Sequence, residues 1–219
     1  MATVLVTGAN RGIGYEYCRQ FHERGDDVIA VSRQPSADLE ALGVHCEPGV
    51  NITDQAALEA LAGRVGELDV LINNAGILER TTLADLNVES LRRQFEVNAI
   101  GPLLVSRALL PRLRPGSKII LMTSRMGSID DNTSGNSYGY RMSKVALCMA
   151  GKSLSIDLRP KGIAVAILHP GLVSTRMTGF TGQGISPEVA VNGLIQRIDA
   201  LSLKNSGTFW HANGEVLPW

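Results

Sequence analysis

Tyr140 and Lys144 stand four residues apart, the spacing that brings two side chains to one face of a helix. Four tyrosines and five lysines in 219 residues would make such a pair by chance roughly 0.1 times. An ammonium beside a phenol favours the phenolate, lowering a pKa that is ~10 in the free side chain. A tyrosine tuned in this way can hand a proton to a developing alkoxide. Tyr138 is the rival candidate, but Met142 occupies the position four residues beyond it. Near the other end of the chain, Thr7-Gly8-Ala9-Asn10-Arg11-Gly12-Ile13-Gly14 follows the apolar run Val4-Leu5-Val6. Gly8, Gly12 and Gly14 let backbone approach a pyrophosphate, while the start of the next helix offers free N–H groups and partial positive charge. Alone, a run of this spacing also fits an ordinary tight turn between strand and helix. One motif suited to a dinucleotide and one suited to moving a proton point together to hydride transfer.

The end of the second strand chooses between cofactors. A site for NAD places Asp or Glu roughly 20 residues after the glycines, on the ribose hydroxyls. This chain has Val31-Ser32-Arg33 instead, and Arg33 with Arg11 can clamp a 2′-phosphate between guanidinium forks. Two solvated surface arginines are the plain alternative. The expectation is NADP(H) in preference to NAD(H). Pro102 marks a further position: it lacks an N–H and crowds the carbonyl of Asn98, four residues earlier, so a helix here should kink and free that oxygen for water. A helix that breaks before Gly101-Pro102, with Asn98 as its cap, fits the same local sequence.

The elements that must position these groups follow a βα rhythm. Short apolar β-rich runs at residues 3–7, 27–32, 43–47, 68–73, 117–123, 163–169 and 207–211 alternate with helical segments, the pattern of a parallel sheet with helices on both faces. Thr53-Asp54 and Ser186-Pro187-Glu188 are clear helix starts. The segment from Val88 to Leu113 is the longest helical stretch and carries Gly101-Pro102 inside it. The fold class is therefore α/β, a Rossmann-type doubly wound parallel sheet of about seven strands, with residues 1–219 forming one domain. Twenty-one basic residues balance twenty-one acidic ones without a like-charge run, so neither nucleic acid nor an anionic membrane is expected as a partner. There is no apolar stretch long enough to span a bilayer and no signal-peptide pattern, which suits a cytoplasmic protein. Cys18, Cys46 and Cys148 lie far apart with no His or Cys at metal-ligand spacing, so reduced packing residues and no metal site are expected.

In its ordered motifs the chain resembles the short-chain dehydrogenase/reductase family over nearly its whole length. The residues that carry the resemblance are Thr7 to Gly14, Asn73-Asn74-Ala75-Gly76, Asn98, Ser124, Tyr140 with Lys144, and Pro170-Gly171-Leu172-Val173-Ser174-Thr175. Ser124-Arg125-Met126-Gly127-Ser128, Tyr140-Arg141-Met142-Ser143-Lys144, His169-Pro170-Gly171 and Gly214-Glu215-Val216-Leu217-Pro218-Trp219 make it most similar to the compact C-factor or sniffer-type carbonyl reductases. The resemblance implies reduction of a small-molecule carbonyl, with Tyr140 as proton donor, Ser124 bonded to the carbonyl oxygen, Lys144 on the nicotinamide ribose, and a water at Asn98 that links Lys144 to solvent. It also implies cofactor contacts: Gly8, Asn10, Arg11, Gly12, Ile13 and Gly14 at the pyrophosphate; Arg33 at the 2′-phosphate; Asn51 and Ile52 at adenine; Asn74, Ala75 and Gly76 on the adenine-ribose side. Tyr140 and Lys144 would meet the nicotinamide ribose, Thr175 and the Val173 backbone the carboxamide, and Pro170 and Gly171 would also contact the cofactor, although they fit a plain strand exit as well. A homodimer or homotetramer through the helices around residues 88–113 and 138–160 is implied as well. The chain departs from the family pattern in Asn51, where an Asp is common, and in the spacing of sixteen positions from Ser124 to Tyr140. After Thr175 only a short, mobile lid is expected, with Met126, Met142, Met177 and Phe180 as candidate lining. The C-factor resemblance keeps a second reading in view, a nucleotide-binding regulatory or signalling protein with vestigial chemistry.

Overall fold

The computed structural model describes all residues from Met1 to Trp219. The chain runs β1 (Thr3–Thr7), α1 (Gly12–Glu23), β2 (Asp27–Val31), α2 (Ala37–Ala41), β3 (His45–Glu47), α3 (Gln55–Arg64), β4 (Leu68–Asn73), α4 (Val88–Phe95), α5 (Gly101–Leu109), β5 (Leu113–Met122), α6 (Tyr138–Asp157), β6 (Ala164–His169), α7 (Pro187–Asp199) and β7 (Thr208–His211). All seven strands join one parallel sheet in the order β3-β2-β1-β4-β5-β6-β7. The order reverses direction between β1 and β4, and the crevice beyond the carboxyl ends of those two strands is where such sheets bind ligands.

Alternation along each strand feeds two cores. Val4, Val6, Ile120 and Leu168 face α1 and α7, meeting Tyr17, Phe21, Val191 and Leu194. Leu5, Leu71, Ile119 and Val165 face the other way, toward Leu58 and Leu61 of α3, Val105 and Leu109 of α5, and Leu147 of α6. Each such side chain, fully buried, stabilises the fold by about 1.5–3 kcal/mol. Burial on both faces also explains why β6 is buried along its whole length and reads as a continuous apolar run. Asp54 caps α3 by accepting from Ala56 N and Ala57 N, and Ser186 caps α7 by accepting from Val189 N with Pro187 in its first turn.

Two expectations change. Strand β5 begins at Leu113 rather than at residue 117, because Pro115-Gly116 is absorbed within it: Leu68 pairs with Leu113, Val70 pairs with Lys118, and the register slips between them. Gly116 supplies the φ of +96° that this bulge requires. The helical stretch beginning at Val88 neither breaks nor continues evenly. Residues Glu96–Ile100 form a π turn between α4 and α5, in which Gly101 N–H reaches back five residues to Glu96 O. Pro102 opens α5, and the wider turn just before it accommodates the missing donor. A 3-10 turn over Leu110–Arg112 then leads into β5.

Helix α7 lies so close to the end of β7 that a Cβ on Gly193 would come within 2.6 Å of the Ala212 carbonyl oxygen. Alanine is favoured over glycine in a helix interior by about 1 kcal/mol, so Gly193→Ala sets propensity against a backbone collision. The collision should dominate, with a net destabilisation of roughly 1–3 kcal/mol in the urea midpoint. A variant more stable than the parent would refute this close approach.

Candidate active site

The glycine turn is built by a clamp between the ends of β1 and β4. Thr7 Oγ1 accepts from Asn74 N (3.1 Å) and Ala75 N (3.2 Å), while Asn74 Nδ2 donates to Thr7 O (3.0 Å) and Gly8 O (3.2 Å). The fit leaves no room for side chains: a Cβ on Gly8 would lie 2.8 Å from Ala75 Cα, and one on Gly14 would strike Gly8 O and Asn74 Nδ2. Helix α1 then starts without any side-chain cap and without an acid in its first turn. Its leading N–H groups face the crevice beside Asn10, Arg11, Gly12 and Ile13, a cradle that fits a pyrophosphate. Thr175 closes the cradle from β6, since its Cγ2 lies 3.5 Å from where a Gly12 Cβ would stand.

At the end of β2, Ser32 and Arg33 are pinned to the end of β3 by Ser32 N to Glu47 O, and to the loop after it by Val50 N to Ser32 O and Gly49 N to Arg33 O. The Arg33 side chain remains exposed, as does that of Arg11. Asn51 is exposed and spends its Oδ1 on Thr53 N and Thr53 Oγ1, which leaves its amide N–H donors outward, where an Asp would offer only acceptors. Ile52 is buried and packs against Gly101.

The π turn delivers Asn98 to the base of α6, which carries Tyr140 and Lys144. Asn98 is fully buried, and its amide is spoken for: Oδ1 accepts from Ile77 N (2.8 Å), and Nδ2 donates to Ile77 O (2.9 Å) and Ser143 Oγ (3.0 Å). Ser143 in turn donates to Tyr140 O (2.8 Å). A Cβ on Gly76 would touch Asn98 Oδ1 at 3.1 Å and Lys144 Nζ at 3.7 Å, so the loop after β4, the π turn and the lysine meet at one point. The alternative of Asn98 as a helix cap is thereby excluded. Lys144 Nζ donates to Met122 O (2.8 Å) at the end of β5 and lies 5.6 Å from the Tyr140 ring centroid. Ser124 begins the 3-10 turn Arg125–Gly127, accepting from Met126 N. Gly127 lets that turn press against α6, where a Cβ would lie 2.8 Å from the carbonyl carbon of Lys144. The Ser124 hydroxyl also lies near enough to the Tyr140 phenol to pull its pKa down. Tyr140 is buried, whereas Tyr138 is 37% exposed at the start of α6.

The long interval between Ser124 and Tyr140 does not displace either residue. Arg141 gathers it in, donating to Gly135 O, Ser134 Oγ and Met126 O, and Thr81 takes Ser137 N on its backbone oxygen and Gly139 N on its hydroxyl. On the β6 side, Pro170-Gly171 leaves the strand, Val173 bridges to Ile185, and Thr175 and Thr178 form a capping box around a 3-10 turn. The lid is short, as expected, but it is tied at both ends. Met142, Met177 and Phe180 are 51%, 46% and 69% exposed and so are not core residues; Met126 is half-buried. Sequence reasoning did not single out Thr7 as a clamp residue, Ser143, or the ordering roles of Thr81 and Arg141. A hydroxyl or guanidinium that bonds backbone remote in sequence leaves no local pattern to find.

The electrostatics correct one expectation. The Tyr140 phenol is not lowered in this structure: burial pushes it up to about 12, and the nearby Ser124 hydroxyl pulls the other way. Burial brings Lys144 down to about 8, with only a small opposing pull from Cys148. Desolvation disfavours the charged form of each group and here outweighs their mutual attraction. Lys144 therefore has a folded pKa below its unfolded value of ~10.4. Its buried ammonium costs stability in full below about pH 8, and the cost fades as the pH rises from there toward the unfolded value. Lys144→Met should thus resist urea better than the parent by roughly 1–2 kcal/mol near neutral pH. The advantage should shrink at about pH 9; urea midpoints that differ equally at both pH values would count against the buried charge.

The sequence and the fold both have close counterparts. A family model described as short chain dehydrogenase matches residues 2–185. The 1-hydroxy-2-glutathionyl-2-methyl-3-butene dehydrogenase of Rhodococcus sp. (strain AD45) is 45% identical over 100% of both chains. C-signal of Myxococcus xanthus is 45% identical across 70% of this chain and 94% of its own. Among solved structures, the NADPH-bound carbonyl reductase from chicken fatty liver superposes with a TM-score of 0.92 at 31% identity, covering 100% of this chain and 99% of that one. The carbonyl reductase Sniffer of D. melanogaster gives 0.92 at 29% identity over 100% of both. The glycine cradle, the Asn98–Ser143 network and the Tyr140–Lys144 face thus sit in a sheet shared with known reductases, and the chain belongs to the short-chain dehydrogenase family of oxidoreductases.

Proposed function

We propose that the protein is an NADPH-dependent carbonyl reductase that converts an aldehyde, ketone or quinone to the alcohol. The observation that carries this reading is the convergence of Ser124, Tyr140, Lys144 and Asn98 beside an uncapped, glycine-lined helix start. When bound, a reduced nicotinamide supplies the hydride. Ser124 donates a hydrogen bond to the carbonyl oxygen, and Tyr140 gives that oxygen its phenolic proton. A phenol pushed up to about 12 is protonated at neutral pH, which is the state that reduction requires. Lys144 offsets the charge left on the phenolate, and the Asn98 turn is the proposed route by which the proton returns from water. Support for NADPH comes from the exposed Arg33 and Arg11, from the absence of an acid at Ser32 or Arg33, and from the NADPH in the chicken structure.

The likeness to C-signal favours one other reading, a nucleotide-binding signalling protein with vestigial chemistry. A panel of aldehydes, ketones and quinones, each assayed with NADPH and NADH by loss of reduced-nicotinamide absorbance, separates the two. The reductase reading expects turnover with NADPH, and Tyr140→Phe should lower kcat by about 10²–10⁴-fold while NADPH affinity stays unchanged. Parental turnover in that variant would sink the mechanism; NADPH binding with no turnover on any substrate would favour the signalling reading. Arg33→Asp should reduce the preference for NADPH over NADH in kcat/KM by at least about tenfold. An unchanged ratio would mean that Arg33 does not read the 2′-phosphate.

A further inference from the structure

Within its own turn the Ser124 hydroxyl accepts from Met126 N and its carbonyl from Gly127 N, yet the proposed chemistry needs that hydroxyl held at a fixed point by something outside the turn. The residue that follows it supplies the anchor. Arg125 Nη2 lies 2.8 Å from Glu215 Oε2, and Arg125 Nε lies 3.3 Å from Asp131 Oδ2. Glu215 sits beyond β7, where the chain turns back along that strand: Trp210 bridges Val216, His211 N donates to Glu215 O, and Leu217 N donates to Phe209 O. Leu217 is buried, and the Trp219 ring stacks on Phe209 at 5.7 Å. The returning segment then meets the Ser124 loop a second time, because Trp219 O accepts from Ser128 Oγ (3.1 Å), Ile129 N (2.9 Å) and Asp130 N (2.9 Å).

The surroundings leave the guanidinium as the charge that these two carboxylates answer. His169 and His211 pack edge to face at 4.9 Å in register at the ends of β6 and β7. Burial, the other imidazole and Arg125 keep His169 neutral; His211 is lowered as well, and its Nδ1 accepts from Asn213 N. The ion pairs themselves are half-exposed, and such pairs add little to global stability. What they fix is the place of the turn that carries Ser124.

We propose that the segment Glu215–Trp219 is a clamp that positions Ser124, with Arg125 as the positioning residue through which it acts. The proposal rests on the reading of Ser124 as the group that binds the carbonyl oxygen. A displacement of about 1 Å at a reacting centre can cost about a hundredfold in rate, so loss of one anchor is expected to cost about tenfold. The test is a double-variant cycle of Arg125→Met with Ser124→Ala, assayed with NADPH on phenanthrenequinone and para-nitrobenzaldehyde. Arg125→Met should lower kcat about tenfold in the parental background but by less than about twofold on top of Ser124→Ala, with NADPH affinity unchanged throughout and Arg125→Lys restoring part of the loss. Glu215→Gln, run through the same cycle, should behave in the same way and covers the case in which Arg125→Met fails to fold. Equal losses in both backgrounds, no loss in either, or weakened NADPH binding would overturn the clamp while leaving the role of Ser124 intact. Full activity in Ser124→Ala would overturn that role and the clamp together.

Discussion

The amide of Asn98 is the interaction on which the active end of the molecule depends. It is fully buried, and its three hydrogen bonds join the loop after β4, through Ile77, to α6, through Ser143. A buried amide stripped of one partner forfeits the desolvation cost of the group left behind, about 1–3 kcal/mol, so the arrangement holds as a unit. The π turn is what makes it possible. In an even α-helix continued through Pro102, an N–H that does not exist would be called on to meet the Asn98 carbonyl. One extra residue in the turn takes up that mismatch and aims the side chain at α6. A local defect forced by one proline thus becomes the joint between the loop after β4 and the helix that carries Tyr140 and Lys144.

Around that joint, burial rather than pairing sets the charge states. Tyr140 and Lys144 share a helical face, yet desolvation drives them apart, the phenol toward its neutral form and the ammonium toward losing its proton. The single hydrogen bond from Lys144 to Met122 O does not repay an ion taken from water. The stability lost there keeps a cation beside the Tyr140 ring, where electrostatic interactions are stronger than in solvent.

How much of this the sequence disclosed follows from how local each feature is. Strand alternation, the caps at Asp54 and Ser186, the glycine turn and the Tyr140–Lys144 spacing are set by residues within one or two turns of each other, and they were legible. Strand β5 was read four residues short because Pro115-Gly116 has the local signature of a turn, and only pairing with β4 draws it into the sheet. The direction of the Tyr140 shift was misread for a related reason: spacing reveals a neighbour, whereas burial depends on α4, β5 and the loop after β4 arriving together. The Thr7–Asn74 clamp and the Arg125–Glu215 pair span 67 and 90 residues, and nothing near either partner announces the other.

The two sides of the crevice are secured by different kinds of bond, and this decides which side chains are free to vary. On the cofactor side, the glycine turn, the Ser32–Arg33 segment and the loop after β4 are held mainly through backbone atoms and buried hydroxyl or amide groups. Apart from the exposed side chains of Arg11 and Arg33, a change of side chain there has little freedom to act without breaking the cradle. On the opposite side, the Ser124 turn and the segment after Thr175 are held by half-exposed charges and by short capping bonds, between exposed residues such as Met142, Leu172, Met177 and Phe180. Those contacts contribute little to folding, so substitutions among them leave the sheet and the dinucleotide cradle standing. A rigid cofactor half and a lightly anchored opposite half on one sheet edge let the side chains opposite the cofactor cradle vary while the cradle stays the same.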